Sequence, residues 1–84
     1  MNNKVLVEIL VPASGEKFDV WIPLKSKMSE VLQLTAAALS DLSDGKYKAT
    51  EEAVLCDAET GGIFNVNMEI AELGIQNGSR LMLI

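Results

Sequence analysis

The sequence contains no histidine and a single cysteine, Cys56. Without an imidazole, the chain lacks the most frequent general base in enzymes and a common nitrogen ligand for metals. Cys56 has no second cysteine with which to form an internal disulfide, and no histidine to activate its thiol as a nucleophile. We therefore predict a non-catalytic protein without cofactor or metal, in which Cys56 is a small buried side chain.

Positive charge is also scarce. Seven lysines and arginines stand against twelve aspartates and glutamates, which gives a net charge of −5 and a pI near 4.5. Sequence-independent binding of nucleic acid requires clustered basic residues, and so does attraction to an anionic membrane surface. The composition argues against both partners. The acidic residues lack the fixed spacing of a calcium-binding loop, so we interpret them as a solvated surface.

Long hydrophobic runs are absent as well. The longest apolar stretch near the start, Val5–Val11, is interrupted by Glu8 and ends at Pro12. This stretch is too short for a signal peptide or a membrane span, so we expect no membrane insertion and a cytoplasmic location. With 49% hydrophobic residues in 84, the chain is predicted to form one small globular domain spanning residues 1–84.

One helix is predicted, over residues 26–43, with Ser26 as its N-cap and Gly45 as its stop. Apolar or small residues recur there at spacings of three and four, which places them along one face. The residues of this face are Met28, Val31, Leu32, Thr35, Ala38, Leu39 and Leu42.

The remaining elements are strands joined by turns. Val5–Val11 and Lys17–Ile22 flank a turn that contains Pro12 and Gly15, and they form an antiparallel hairpin. Short strands are expected within residues 53–58, with Val54 and Cys56 facing inward, and at residues 63–64. A single helical or 3₁₀ turn is expected within residues 68–73. A final strand is expected over residues 80–84, after a turn in which Gly78 has a positive φ.

This order of elements predicts an α+β fold of the β-grasp (ubiquitin-like) type, with a mixed sheet of four to five strands packed on one helix. The expected strand order is second, first, fifth, third, fourth. Residues 44–50 are polar apart from Tyr47, and we expect them to form a flexible loop.

The last fifteen residues resemble the closing segment of ubiquitin-like domains. Their run Gly74-Ile75-Gln76-Asn77-Gly78-Ser79-Arg80-Leu81 resembles more closely the YukD/EsaB family, the ubiquitin-like proteins of bacterial type VII (WXG100) secretion systems. The pattern Phe18-Asp19-Val20 in the second strand also fits that family. The resemblance covers essentially the whole chain, although its motifs are structural.

The resemblance implies an accessory or regulatory component of a type VII secretion system that acts by binding secretion-machinery proteins. A second hypothesis is a ubiquitin-like small subunit of a multicomponent enzyme, such as a diiron monooxygenase. A protein modifier or sulfur carrier is disfavoured, because such proteins end in Gly-Gly. This sequence ends at Ile84, and its Gly61-Gly62 pair is internal.

The candidate interaction site is the face of the sheet that points away from the helix. If Phe18, Val20 and Ile22 face the helix, alternation places Trp21 on the other side. A contiguous apolar patch there would mark a binding surface for a protein partner or for a second copy in a homodimer. A covered face, or a strand out of register, would explain the same pattern without an interface. The predicted interaction residues are Leu6, Leu10, Trp21, Leu55, Met82 and Ile84.

Overall fold

A computed structural model of the chain describes residues 3–84. It contains four strands, one α-helix and one 3₁₀ turn. Their bounds are β1 Lys4–Val11, β2 Glu16–Pro23, α1 Met28–Leu42, β3 Leu55–Asp57, the 3₁₀ turn Ala71–Leu73, and β4 Arg80–Leu83. The strand order is β2-β1-β4-β3, with β1 and β4 parallel and the other pairs antiparallel. This arrangement confirms the predicted β-grasp fold, with four strands.

The β1–β2 hairpin forms one half of the sheet. Eight residue pairs run from Lys4–Pro23 to Val11–Glu16. Alternate residues of β1 are β-branched and almost completely buried: Val5, Val7, Ile9 and Val11. Opposite them, Phe18 and Val20 are half-buried against the core and Ile22 is fully buried. Alternation along the hairpin therefore places the core on one side of the sheet, as expected.

Helix α1 covers this side, although it begins later than predicted. Lys27, not Ser26, is the N-cap, and its N–H donates to the Glu30 carboxylate at 3.1 Å. The Ser26 carbonyl accepts instead from Ile70 N–H at 3.0 Å, which ties the segment before the helix to the segment before the 3₁₀ turn. The prediction of Ser26 as N-cap was wrong because this long-range backbone bond holds Ser26 outside the helix.

The buried face of α1 differs from the prediction at three positions. Ala36 is buried although it was not predicted to be, whereas Ala38 is exposed and Leu42 is 62% exposed. Tyr47, from the loop after the helix, is only 5% exposed and belongs to the core cluster instead. The Tyr47 N–H donates to the buried Ser43 hydroxyl at 2.9 Å. The polar loop is therefore anchored at its centre, which its sequence did not indicate.

The side chains of strand β3 lie on the opposite faces of the sheet from those predicted. Leu55 pairs with the buried Leu83 and is itself 2% exposed, so Leu55 lies in the core and not on the outer face. Cys56 pairs with Met82, on the other face of the sheet. The error arises because Val54, Leu55 and Cys56 are consecutive apolar residues, and both phases of alternation are compatible with them.

The predicted strand at residues 63–64 is reduced to an isolated bridge between Ile63 and Cys56. The 3₁₀ turn Ala71–Leu73 and the positive φ of Gly78 (87°) agree with the predictions. Gly78 N–H donates to the Leu6 carbonyl at 2.9 Å, which aligns the start of β4 with β1. The core cluster also contains Ile70, Ile75, Leu81 and Leu83.

Candidate functional site

The outer face of the sheet, opposite α1, carries the side chains of the predicted interaction site. Strand pairing arranges these side chains in rows across the sheet. One row contains Trp21 and Leu6, the next contains Asp19, Glu8 and Arg80, and a third contains Lys17, Leu10, Met82 and Cys56. Ile84 follows Met82 on the same face and exchanges backbone hydrogen bonds of 3.0 and 2.8 Å with Val54.

The apolar surface is therefore divided into two clusters. The Trp21 cluster consists of Trp21 and Leu6, and Trp21 is 55% exposed. The Met82 cluster consists of Leu10, Met82, Ile63 and Ile84, of which Ile63 is 67% and Ile84 is 52% exposed. Leu6 and Leu10 are four positions apart along β1, so the two rows are about 13 Å apart. The contiguous patch expected from the sequence is thus two clusters with a charged row between them.

An ion pair holds the charged row together. Arg80 Nε lies 3.2 Å from Glu8 Oε1, between neighbouring parallel strands. Asp19 lies opposite Glu8 on the other side. This row places two acidic side chains and one basic side chain between the two apolar clusters. A hollow of about 520 Å³ lies on the same side and is lined by Leu6, Glu8, Asp19, Trp21, Asn77 and Arg80, among others.

Ile63 is the outer-face residue that sequence reasoning missed. It lies opposite Cys56 across the isolated bridge, so its side chain shares the outer face with Met82. Cys56 thus lies between Met82 and Ile63 in neighbouring strand pairs, and it is 1% exposed without belonging to the core cluster. The signal was available, because a turn at Gly61-Gly62 brings Ile63 back against the strand that contains Cys56.

Of the six predicted residues, five lie on the outer face: Leu6, Leu10, Trp21, Met82 and Ile84. Leu6, Leu10 and Met82 are half-buried among their neighbours, whereas Trp21 and Ile84 are more than half exposed. Leu55 is absent from this surface for the reason given above. The outer-face residue of β3 is instead Cys56, which lies between Met82 and Ile63.

Cys56 is the one thiol of the chain, and its environment keeps it protonated. Burial raises the pKa of the thiol, and the neighbouring Asp57 carboxylate raises it further. The Sγ lies 3.6 Å from the Met82 carbonyl oxygen. A buried, protonated thiol is a poor nucleophile. Within residues 3–84, no group of three or more acidic, histidine or cysteine side chains is placed to hold a metal ion.

The search of protein-family models found no match to the sequence, and no curated protein is significantly similar to it. Among solved structures, the chain is similar to the ubiquitin-like domain of EccD5 from Mycobacterium xenopi. The TM-score is 0.81 at 17% identity, over 99% of this chain and 94% of that one. The ubiquitin-like domain of the Mycobacterium tuberculosis type VII secretion system protein ECCD1 gives a TM-score of 0.78 at 18% identity, over 100% and 99% of the two chains.

A chain of the toluene 4 monooxygenase HD complex is also similar, with a TM-score of 0.75 at 17% identity over 95% of each chain. At these identities the likeness establishes the fold, which is that of ubiquitin-like domains. No helix within the described residues 3–84 is long and apolar enough to cross a bilayer.

Proposed function

We propose that this protein is a non-catalytic ubiquitin-like interaction module of the YukD/EsaB type. In this proposal it acts in the bacterial cytoplasm as an accessory or regulatory component of a type VII secretion system. It docks through the outer face of its sheet onto a cytosolic part of the secretion machinery. The sequence resemblance to that family and the structural likeness to the EccD5 and ECCD1 domains support the type VII assignment.

The exposure of Trp21 is the observation that best supports docking through the outer face. Trp21 is 55% exposed on the outer face of the sheet, and tryptophan is enriched among residues that dominate binding energy. The ion-paired row beside it supplies polar groups that fix orientation. Both apolar clusters and the charged row would have to be covered to reach the ~800 Å² per partner that stable interfaces bury.

A deletion strain complemented with variants tests this function. The readout is the amount of a WXG100 protein secreted into the medium. We expect wild type to restore secretion, and Trp21→Ala combined with Ile63→Ser to fail although the variant folds. Leu34→Ala is the matched control, because Leu34 is 74% exposed on the helix and lies away from the outer face. Full restoration by the double variant would contradict docking through this face.

The second candidate is a small subunit of a multicomponent monooxygenase. The likeness to a chain of the toluene 4 monooxygenase HD complex over 95% of both chains favours it specifically. Co-expression with the hydroxylase subunits of a multicomponent monooxygenase from the same genome distinguishes the two candidates. A stable stoichiometric complex with those subunits, together with unchanged secretion in the deletion strain, would replace the type VII proposal.

A further inference from the structure

Strand β2 lies at an edge of the sheet, and its backbone groups on that side are open. In the sheet order β2-β1-β4-β3, no strand of the described chain lies beyond β2. Such an edge is a template for pairing with another strand. With eight residues, β2 is long enough to pair over several positions.

The hydrogen bonds of β1 identify which β2 residues are open. Leu6 N–H donates to Asn77 Oδ1 and Glu8 N–H to the Ser79 carbonyl, so the even-numbered residues of β1 point toward β4. The odd-numbered residues of β1 therefore bond to β2, and their partners in β2 are the even-numbered ones. It follows that the N–H and C=O groups of Lys17, Asp19 and Trp21 point to the open edge. Leu24 N–H, which donates to the Asn3 carbonyl, fits the same alternation.

A second copy of the chain can pair with this edge about a two-fold axis. Open residues must face open residues, so the axis falls beside a residue and not between two residues. Axes beside residues 18 to 21 let at least five residues of each strand pair. An axis beside residue 19 sets Asp19 against its own copy, which is unfavourable because like charges lie directly opposite each other. An axis beside residue 20 or 21 sets Lys17 or Asp19 against Pro23, which has no N–H to donate.

An axis beside Phe18 avoids both conflicts. It places Lys17 of each copy opposite Asp19 of the other, so that two ion pairs form symmetrically on the outer face. Each of these residues also has both backbone groups available for the new ladder. Phe18 faces its own copy at the axis on the helix side of the sheet, and aromatic pairs across strands are favourable. The two charges on this edge are thus self-complementary in one register.

We propose that two copies of this chain associate through their β2 edges, in the register that pairs Lys17 with Asp19 of the other copy. The two four-stranded sheets become one continuous eight-stranded sheet, and the two Lys17–Asp19 ion pairs lie on its outer face, at the junction between the two copies. One strand pair buries less than the ~1,200 Å² of a standard interface, so the dimer is weak and concentration-dependent. This inference concerns the sheet edge and does not rest on the proposed function.

Sedimentation equilibrium on the full chain, between about 20 μM and 1 mM, tests the dimer and its register. We expect the wild type to dimerise reversibly within this range. Lys17→Asp and Asp19→Lys should each weaken the dimer about tenfold or more, because each turns both ion pairs into repulsions. The double variant Lys17→Asp/Asp19→Lys should recover the wild-type affinity to within about threefold, because it restores two opposite-charge pairs.

Two controls separate pairing from a general charge effect. Asp19→Lys raises the net charge by two, from −5 to −3, so reduced repulsion alone would strengthen association instead of weakening it. Lys48→Asp changes the net charge as Lys17→Asp does, but at an exposed loop position away from β2, and it should leave the dimer unchanged. Circular dichroism confirms that each variant is folded.

Amide hydrogen exchange provides a second measurement that reports on the edge itself. At 1 mM, the amides of Lys17 and Asp19 should exchange more slowly than at 20 μM, while that of Lys48 should not change. A wild type that remains monomeric at 1 mM would overturn the proposal. So would a dimer that is insensitive to the single reversals, or one that the folded double variant does not restore.

Discussion

Trp21 exposes a large apolar surface to water that a binding partner would cover. More than half of its side chain is in contact with water. Covering that surface is worth on the order of 2–3 kcal/mol, given the size of the indole and the usual value per unit of buried apolar area. Trp21 lies opposite Leu6 and next to the row that contains the Glu8–Arg80 ion pair.

A comparison of Leu55→Ala with Leu34→Ala tests whether the Leu55 side chain faces the core. We expect Leu55→Ala to lower the free energy of unfolding by about 2–4 kcal/mol, because it leaves a cavity in the core. Leu34→Ala is the same chemical change at a 74% exposed helix position and should cost less than about 0.5 kcal/mol. Urea denaturation measures both variants. Similar values for the two would mean that Leu55 does not face the core.

Tyr47 carries a buried hydroxyl oxygen that has no hydrogen-bond partner among the described residues. Its ring belongs to the core, so the hydroxyl loses hydration on folding without compensation. Tyr47→Phe keeps the ring and removes this group. We therefore expect the free energy of unfolding to rise by about 0.5–1 kcal/mol. A loss of more than 1 kcal/mol in urea denaturation would show that the hydroxyl has a stabilising partner.

The same burial predicts a loss of stability at alkaline pH. Burial raises the pKa of Tyr47, and burial together with the Asp57 carboxylate raises the pKa of Cys56. In the unfolded chain these groups ionise at their ordinary values of about 8.5 for the thiol and about 10 for the phenol. The unfolded state then releases protons that the native state retains, so stability falls as pH rises through this range.

Thermal denaturation between pH 7.5 and about 10.5 measures this effect. The midpoint should decrease with pH, and the decrease should be smaller in Tyr47→Phe, because one of the two groups no longer ionises. An identical pH dependence in the wild type and the variant would exclude Tyr47 as a contributor.

At the scale of elements, the parts of the fold with clear alternation or helical spacing were predictable. In the β1–β2 hairpin, Lys17 and Asp19 alternate with Phe18 and Val20 in β2, and a turn that contains Pro12 and Gly15 precedes this strand, so both the pairing and the inner face of the hairpin followed from the sequence. In β3 the consecutive apolar residues Val54, Leu55 and Cys56 permit two phases. Only the long-range pairing of Leu55 with Leu83 selects one of them. For this reason Leu55 was assigned to the wrong face.

Dependence on long-range pairing also explains why the charged row and the anchored loop could not be predicted from the sequence. Glu8, Asp19 and Arg80 belong to three different strands, and their alignment in one row depends on registers that no local pattern specifies. Tyr47 lies in a polar stretch whose composition indicates a loop. Its burial depends on contacts with residues distant in sequence, so the end of α1 could be predicted while the loop's anchor could not.

The end of α1 makes a prediction at this scale. The buried Ser43 hydroxyl accepts from Tyr47 N–H at 2.9 Å and also lies 3.3 Å from the Ser40 carbonyl oxygen. Ser43→Ala leaves the Tyr47 amide without this acceptor, which should cost about 1 kcal/mol and speed amide exchange at Tyr47. Ser29→Ala, at an exposed position in the first turn, is the control and should change neither quantity. Unchanged exchange at Tyr47 in Ser43→Ala would show that the loop is anchored by its ring alone.

The whole molecule has surfaces of different chemical character. Helix α1 closes one face of the sheet, the other face carries two apolar clusters and an ion-paired row, and β2 presents an open edge with alternating charges. The net charge of −5 favours a protein partner that is less acidic than this chain. Pairing of two copies uses backbone groups of β2 with the Lys17 and Asp19 side chains, whereas docking of a partner would use the two apolar clusters and the charged row, so the two contacts share Asp19.

The most direct test of docking through the outer face is an NMR titration of the ¹⁵N-labelled protein. The titrant is the purified cytosolic domain of a type VII secretion membrane component from the same genome. We predict that shifts concentrate at Leu6, Glu8, Trp21, Ile63 and Met82, and that Trp21→Ala weakens binding at least tenfold. Shifts confined to the exposed flank of α1, or unchanged affinity in Trp21→Ala, would contradict docking through the outer face of the sheet.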